Sequence, residues 1–223
     1  MSSTHWICRD SLTDEDIDDV ETMAIFPLEL VLLPSETLAL HIFEERYKRL
    51  MATLRSDGGE FGVVLAEQDE MHEAGCAAVL ASVVEEFDDG RLNVLVEGRR
   101  RFHIVEVLAP DDPEIETLRA TVSFFEDADD GSAEARDETL AAFAELMEAL
   151  GLEQPQLPGG DVPLSFRLAA AVDFGAEVKQ AMLESVSETE RLSQLAAVAT
   201  TLLPRVEAQR KLSDAIRGNG KGM

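Results

Sequence analysis

The sequence predicts an α+β fold: a small closed or partly closed β-barrel with one inserted helix, followed by a C-terminal helical bundle. Three observations carry this expectation. Short apolar runs with a period of two recur between residues 25 and 125, as half-buried strands require. One stripe at helical spacing interrupts them at residues 43–55, and beyond an acidic, glycine-containing break at 126–131 the period is helical throughout. Several short strands around a single helix form a small barrel more readily than an open sheet.

Residues 1–22 are polar and acidic and read as a flexible leader. In residues 25–34 every position except Glu29 is apolar or proline; Pro27 and Pro34 make the segment extended and unsuited to the centre of a sheet or helix. Residues 37–42 form a short strand-like run. Phe43, Tyr47, Leu50, Met51 and Leu54 then share one face of a helix over 43–55, supported by the acid-before-base pairs Glu44 with Lys48 and Glu45 with Arg49. Gly58 and Gly59 stop it. Strands follow at 61–66, at 76–87 after a polar loop, and at 92–96. Gly98 interrupts the pattern, which predicts a tight turn or a bulge before the period resumes at Phe102, Ile104 and Leu108. A last strand spans 118–125.

The β-rich domain thus covers 23–126, an acidic linker 127–131, and a helical subdomain 132–217, with a flexible tail at 218–223. Ser132 caps a helix that ends at Gly151, with Leu140, Phe143, Met147 and Leu150 on one face. A Pro/Gly loop at 155–160 precedes Pro163, which suits a first helical turn. Ser187 and Glu190 have capping-box spacing and open the longest helix, to about Arg217; Pro204 is expected to kink or split it.

The charge balance excludes several partners. Nineteen basic against 45 acidic side chains leave a net charge of −26, a field that repels phosphate backbones and anionic membranes. No stretch reaches the roughly 18 to 20 apolar residues needed to span a bilayer, and there is no apolar signal core at the start, so the expected location is the cytoplasm. Cys8 and Cys76 cannot build a disulfide framework.

Catalytic patterns are missing as well. The only Gly-Lys, Gly220-Lys221, has no hydroxyl after it and no helix to follow, so it is not a phosphate loop. Lys48, Lys179, Lys211 and Lys221 have no nucleophile context. His72 and Cys76 are four apart, but His5, His41 and His103 are scattered, and a zinc site needs three or four ligands at recognisable spacing. Arg99, Arg100 and Arg101 form the one dense basic cluster. Without interleaved aromatics to stack bases, pairing with local carboxylates such as Glu97 or Glu44 accounts for it better than nucleic-acid contact does. The expectation is a protein that is not an enzyme and needs no metal or other cofactor.

Three ordered blocks resemble one family. Phe26-Pro27-Leu28 and Pro34 lead into Leu40-His41-Ile42-Phe43-Glu44-Glu45-Arg46-Tyr47. Phe61-Gly62-Val63-Val64-Leu65 follows, and then the run from Asp89-Gly90-Arg91 through Val96-Glu97-Gly98-Arg99-Arg100-Arg101-Phe102. Together they resemble the Lon protease amino-terminal (substrate-binding) domain family over residues 24–126. More loosely, Phe166-Arg167-Leu168-Ala169 and Lys179-Gln180-Ala181-Met182-Leu183-Glu184 are similar to its helical extension. Glu45 stands where that family often has proline. The resemblance implies a PUA-like pseudobarrel followed by helices, in a stand-alone member lacking the ATPase and protease domains. It also implies a recognition or adaptor role towards unfolded or extended polypeptides or a protease partner. A PUA-like RNA- or nucleotide-binding module is the alternative.

Phe26, Leu28, Phe43 and Tyr47, with Glu44 beside them, are the candidate lining of an apolar groove for an extended peptide; core packing is the competing reading of the same residues. Arg46, Gly98, Arg100, Arg101 and Phe102 are candidates for structural or interaction roles.

Overall fold

The computed structural model describes residues 20–67, 70–113, 115–153 and 162–219, with side chains as far as 211. The expected leader up to residue 19, the loop at 155–160, and the tail from 220 on lie outside the described residues. The described part is mixed α+β, with six strands and five helices, and it divides into two compact units. The first holds the described residues up to Glu126 together with Val172–Val186; the second holds Asp127–Ala171 and the described residues from Ser187 on.

Six strands build the first unit: β1 (Val20–Leu28), β2 (Thr37–Ile42), β3 (Phe61–Glu67), β4 (Glu70–Glu86), β5 (Leu92–Leu108) and β6 (Arg119–Phe124). The order is β2-β5-β4-β3-β1-β6, and an added β5–β6 pairing returns the sheet to β5, so five strands pair in a ring with β2 attached outside it. β1 and β3 are parallel, which requires the crossover through β2 and helix α1 (Glu45–Asp57). Helix α4 (Ala176–Glu184) completes the unit.

Several strand boundaries differ from the sequence expectation. β1 starts inside the predicted leader, because Val20 to Ala24 pair with Ser123 to Arg119 of β6. Pro27 is tolerated in a strand because the β6 pairing ends at Ala24 and only β3 flanks β1 at Pro27. β4 begins at Glu70, so His72 and Glu73 belong to a strand, not to a loop; the pairing of Glu70 and Met71 with Glu67 and Ala66 of β3, followed by that of Ala74 with His103 of β5, overrides the polar composition there.

Gly98 lies within an unbroken β5. Cys76 faces Arg101 while Ala78 faces Gly98, so β5 carries one extra residue there, which is the bulge of the two predicted alternatives. Its lack of a side chain is a steric requirement, since an added Cβ would sit 2.1 Å from the Leu33 carbonyl oxygen. Ser35 N donates to Gly98 O (2.8 Å) and Gly98 N donates to Glu36 O (2.9 Å), docking the β1–β2 connection onto β5. Phe102 is fully buried among Ile25, Val64, Ile104 and Val122. Its ring tip fills the space over Gly62 and Gly75, where a Cβ at either position would approach it to 2.6 Å.

The arginine cluster is internally satisfied. Arg99 pairs with Glu97 (3.4 Å), and Arg100 pairs with Glu60 (2.7 Å) and Glu21 (3.6 Å) while its guanidinium lies over Phe124. Glu44, named beforehand as a local partner, instead pairs with Arg46. Arg101 is buried and donates to Leu183 O (2.5 Å) and Ser185 O (2.7 Å), binding the end of α4 to the barrel. Lys179 of α4 reaches Glu36 at 2.5 Å, and Gln180 donates to Ala74 O. Residues 172–186 thus pack with the first unit, not with the helical subdomain assigned to them from periodicity.

The second unit contains α2 (Ala133–Leu150), α3 (Leu164–Ala169) and α5 (Glu188–Asn219). Ser132 Oγ accepts from Ala135 N, and Gly151 adopts the left-handed conformation that ends α2. The buried face of α2 is Ala135, Thr139, Phe143, Leu146 and Met147, rotated from the predicted stripe, and Leu150 is exposed. Thr139 is accommodated on the rotated face because its hydroxyl, donating to Ala135 O and Leu192 O, is satisfied inside the α2–α5 contact. Pro163 stands at the N-cap of α3. α5 continues through Pro204 without splitting.

Arg191 is completely buried. It pairs with Asp127 (2.6 Å) and Glu188 (2.9 Å), donates to Ser165 Oγ, and lies over the Phe166 ring. The acidic linker is therefore part of the packing. Asp130 caps α5 by accepting from Ser187 Oγ and from Glu188 N. The Ser187 hydroxyl and then the backbone amides hold the Asp130 carboxyl below its ordinary value.

Gly98→Ala is expected to destabilise the first unit by about 3 kcal/mol or more, since rigid backbone faces the new methyl. Gly131→Ala, with open space around it, should stay within about 0.5 kcal/mol in the same urea titration. A depressed folded-state pKa at Asp130 gives stability that is present above the unfolded value of about 3.9 and is lost as pH falls through the folded value. Helicity of Asp130→Asn followed against pH should accordingly show a flatter acid limb than the parent.

Candidate functional site

The site grows from the junction between β2 and α1. Glu44 has extended backbone (φ −75°, ψ 139°) and starts α1 without a side-chain cap. Its carbonyl accepts from Tyr47 N and Lys48 N. The helix therefore begins at Glu45, two residues later than the periodicity predicts, and Phe43 falls outside the buried stripe of Tyr47, Met51 and Leu54. Phe43 is 61% exposed. Its ring lies 6.2 Å from His41, whose Nδ1 meets Asn93 Oδ1 at 2.7 Å; Asn93 in turn donates to Glu85.

Facing this junction is the end of β1. Phe26 stacks on Tyr47 with ring centroids 3.8 Å apart and planes 16° from parallel. Behind it Phe61 lies tilted at 6.4 Å. Both stacked rings are almost wholly buried, so they form a floor and Phe43 a rim. Burial pushes the Tyr47 hydroxyl up to about 12. Arg46 folds back over the same ring, 4.7 Å from its centroid, pairing with Glu44 at 2.7 Å and donating to Pro113 O at 3.4 Å. It thereby ties the junction to the β5–β6 connection.

These parts enclose a cleft of about 1140 Å³, larger than the usual range for a small-molecule pocket. Phe26, Leu28, Phe43, Glu44 and Tyr47, the five residues singled out for a peptide groove, all line it, and so does Arg46. Phe26 and Tyr47 pack on each other, while Phe43 is mostly exposed beside His41. Gly98, Arg100, Arg101 and Phe102 lie elsewhere, in the docked connection, the barrel wall and the core. Sequence reasoning missed the remaining lining, namely Pro27, Glu29, Leu40, His41 and Ile42 and the lip formed by Ala109, Pro110, Pro113 and Leu118. The paired prolines were the available signal for that lip.

The lining offers apolar surface, the Glu44–Arg46 ion pair and the exposed carboxylate of Glu29. Cys76 is buried far from water, and that burial pushes its thiol up to about 12, where it is a poor nucleophile. Among the described residues no three His, Cys, Asp or Glu side chains are grouped to hold a metal ion, and no helix is long and apolar enough to cross a membrane.

Residues 22–198 match the family described as the ATP-dependent protease La (LON) substrate-binding domain. No curated protein matches the chain significantly. Among solved structures, it is similar to the Lon N-terminal domain protein from Xanthomonas campestris, with a TM-score of 0.61 and 25% identity over 79% of this chain and 98% of that one. It also shares its fold with the N-terminal domain of the Mycobacterium avium complex Lon protease, at a TM-score of 0.60 and 17% identity over 81% of this chain and 98% of that one. With the match spanning both the strand-rich part and most of the helices, the chain belongs to the Lon substrate-binding domain family.

Proposed function

We propose that the chain is a non-catalytic recognition module that captures unfolded or extended polypeptide in the cleft between the end of β1, the β2–α1 junction and the β5–β6 connection. The observation that carries this reading is the combination of a rigid aromatic floor, Phe26 on Tyr47, with a largely exposed aromatic rim, Phe43. A stacked pair holds its shape without a ligand, and an exposed phenylalanine beside it gains by covering apolar surface. Membership in a substrate-binding family supports the same reading. We assign the module to the cytoplasm, with a PUA-like pseudobarrel carrying the cleft, as an adaptor in protein quality control whose second class of partner is a protease.

The RNA- or nucleotide-binding alternative is not favoured. Arg99 and Arg100 already hold carboxylates and Arg101 holds two backbone carbonyls, which leaves no free basic patch at that cluster for phosphates.

Fluorescence anisotropy with labelled extended peptides derived from denatured proteins tests the proposal. Phe43→Ala should weaken binding about tenfold, the loss expected when an interface aromatic worth about 1.4 kcal/mol is truncated. Because Phe43 is mostly exposed, its thermal stability should remain within about 0.5 kcal/mol of the parent. Phe26→Ala should instead cost about 3 kcal/mol of stability through loss of a buried ring. A broad peptide set in which nothing binds would sink the reading.

A further inference from the structure

Of the acidic and basic side chains on the cleft, Glu44 and Arg46 neutralise each other at 2.7 Å. His41 is engaged by Asn93 through Nδ1. Glu29 differs: it lines the cleft directly after the apolar Phe26-Pro27-Leu28, is exposed, and has no hydrogen bond or ion pair among the described residues. An apolar trough therefore carries an unneutralised carboxylate. The chain as a whole carries −26. A field of that sign concentrates cations and repels anions at long range, and a carboxylate in the trough pairs with a cation at short range.

We infer that the cleft selects extended apolar segments flanked by lysine or arginine, with Glu29 as the subsite that receives the flanking cation; this rests on the polypeptide-binding reading of the same cleft. Apolar residues of the bound segment lie over the Phe26–Tyr47 floor and against Phe43. The basic residue at one flank reaches Glu29, and others profit from the surrounding field. Acidic flanks find no unpaired cation in the trough and enter against the field.

The test uses the full chain and three fluorescein-labelled peptides that share one Phe- and Leu-containing core and carry Lys, Ser or Glu flanks. The expected order of affinity is Lys over Ser over Glu, with the spread narrowing as salt rises beyond about 0.1 M, where screening acts within about 10 Å. Glu29→Gln should weaken the Lys-flanked peptide about two- to fivefold, the range for a solvent-exposed ion pair, and leave the Ser-flanked peptide unchanged. Glu138→Gln, at an exposed acid on α2, should alter none of the three and so separates the subsite from net charge. Equal affinity for all three peptides, or a Glu29→Gln effect common to all three, overturns the inference while leaving polypeptide binding standing. Failure of every peptide to bind overturns the underlying reading and the inference with it.

Discussion

The approach of the Leu33 carbonyl to the bare Cα of Gly98 is the constraint on which the first unit depends. It brings two backbones closer than any side chain allows, and the reciprocal hydrogen bonds of Ser35 and Glu36 hold them there. Ser35 takes a positive φ of 64° at this point, an uncommon conformation for a residue with a Cβ, accepted here because both its neighbours are pinned. The Glu36 carboxylate then takes the Leu33 amide with one oxygen and Lys179 with the other. One short connection thereby joins β1, β2, β5 and α4. The cleft inherits its dimensions from this join, since one wall is the end of β1, the other begins at the end of β2, and residues 29–36 set the path between them.

The distribution of charge follows from the scarcity of cations. Arg101, Lys179 and Arg191 are the buried cations of the described residues, and each has acceptors for its donors: carbonyls at the end of α4, Glu36, and the Asp127–Glu188–Ser165 group. Burying a guanidinium is tolerable only with such partners. The three buried cations are matched in number by the carboxylates of Glu36, Asp127 and Glu188, so the net charge of −26 is carried by the remaining side chains.

Local rules made much of this legible. β2 lies where its apolar run predicts, and α2 runs between the cap and stop signals of Ser132 and Gly151. The five groove residues share one cleft because Phe26 of β1 stacks on Tyr47 of α1, which brings the end of β1 against the β2–α1 junction. What stayed hidden depends on partners distant in sequence. The placement of α4 needs Arg101, more than seventy residues earlier. The burial of Arg191 needs Asp127 and Ser165. An arginine in a helix reads as surface until its acceptors are known, and Gly98 reads as a break until the opposing carbonyl is seen. The lip at 109–118 was missed for the same reason, since it meets the segments already identified through Arg46 on Pro113 O and Ile25 N on Leu118 O, partners distant in sequence.

The chain leaves the first unit at Glu126 and re-enters it at Val172, and this has a consequence for biosynthesis. On the ribosome all six strands emerge well before α4, and the stretch between holds α2 and α3 of the second unit. The contacts of Arg101 with the α4 carbonyls and of Glu36 with Lys179 therefore form only after a sequence that is no part of the first unit has been translated.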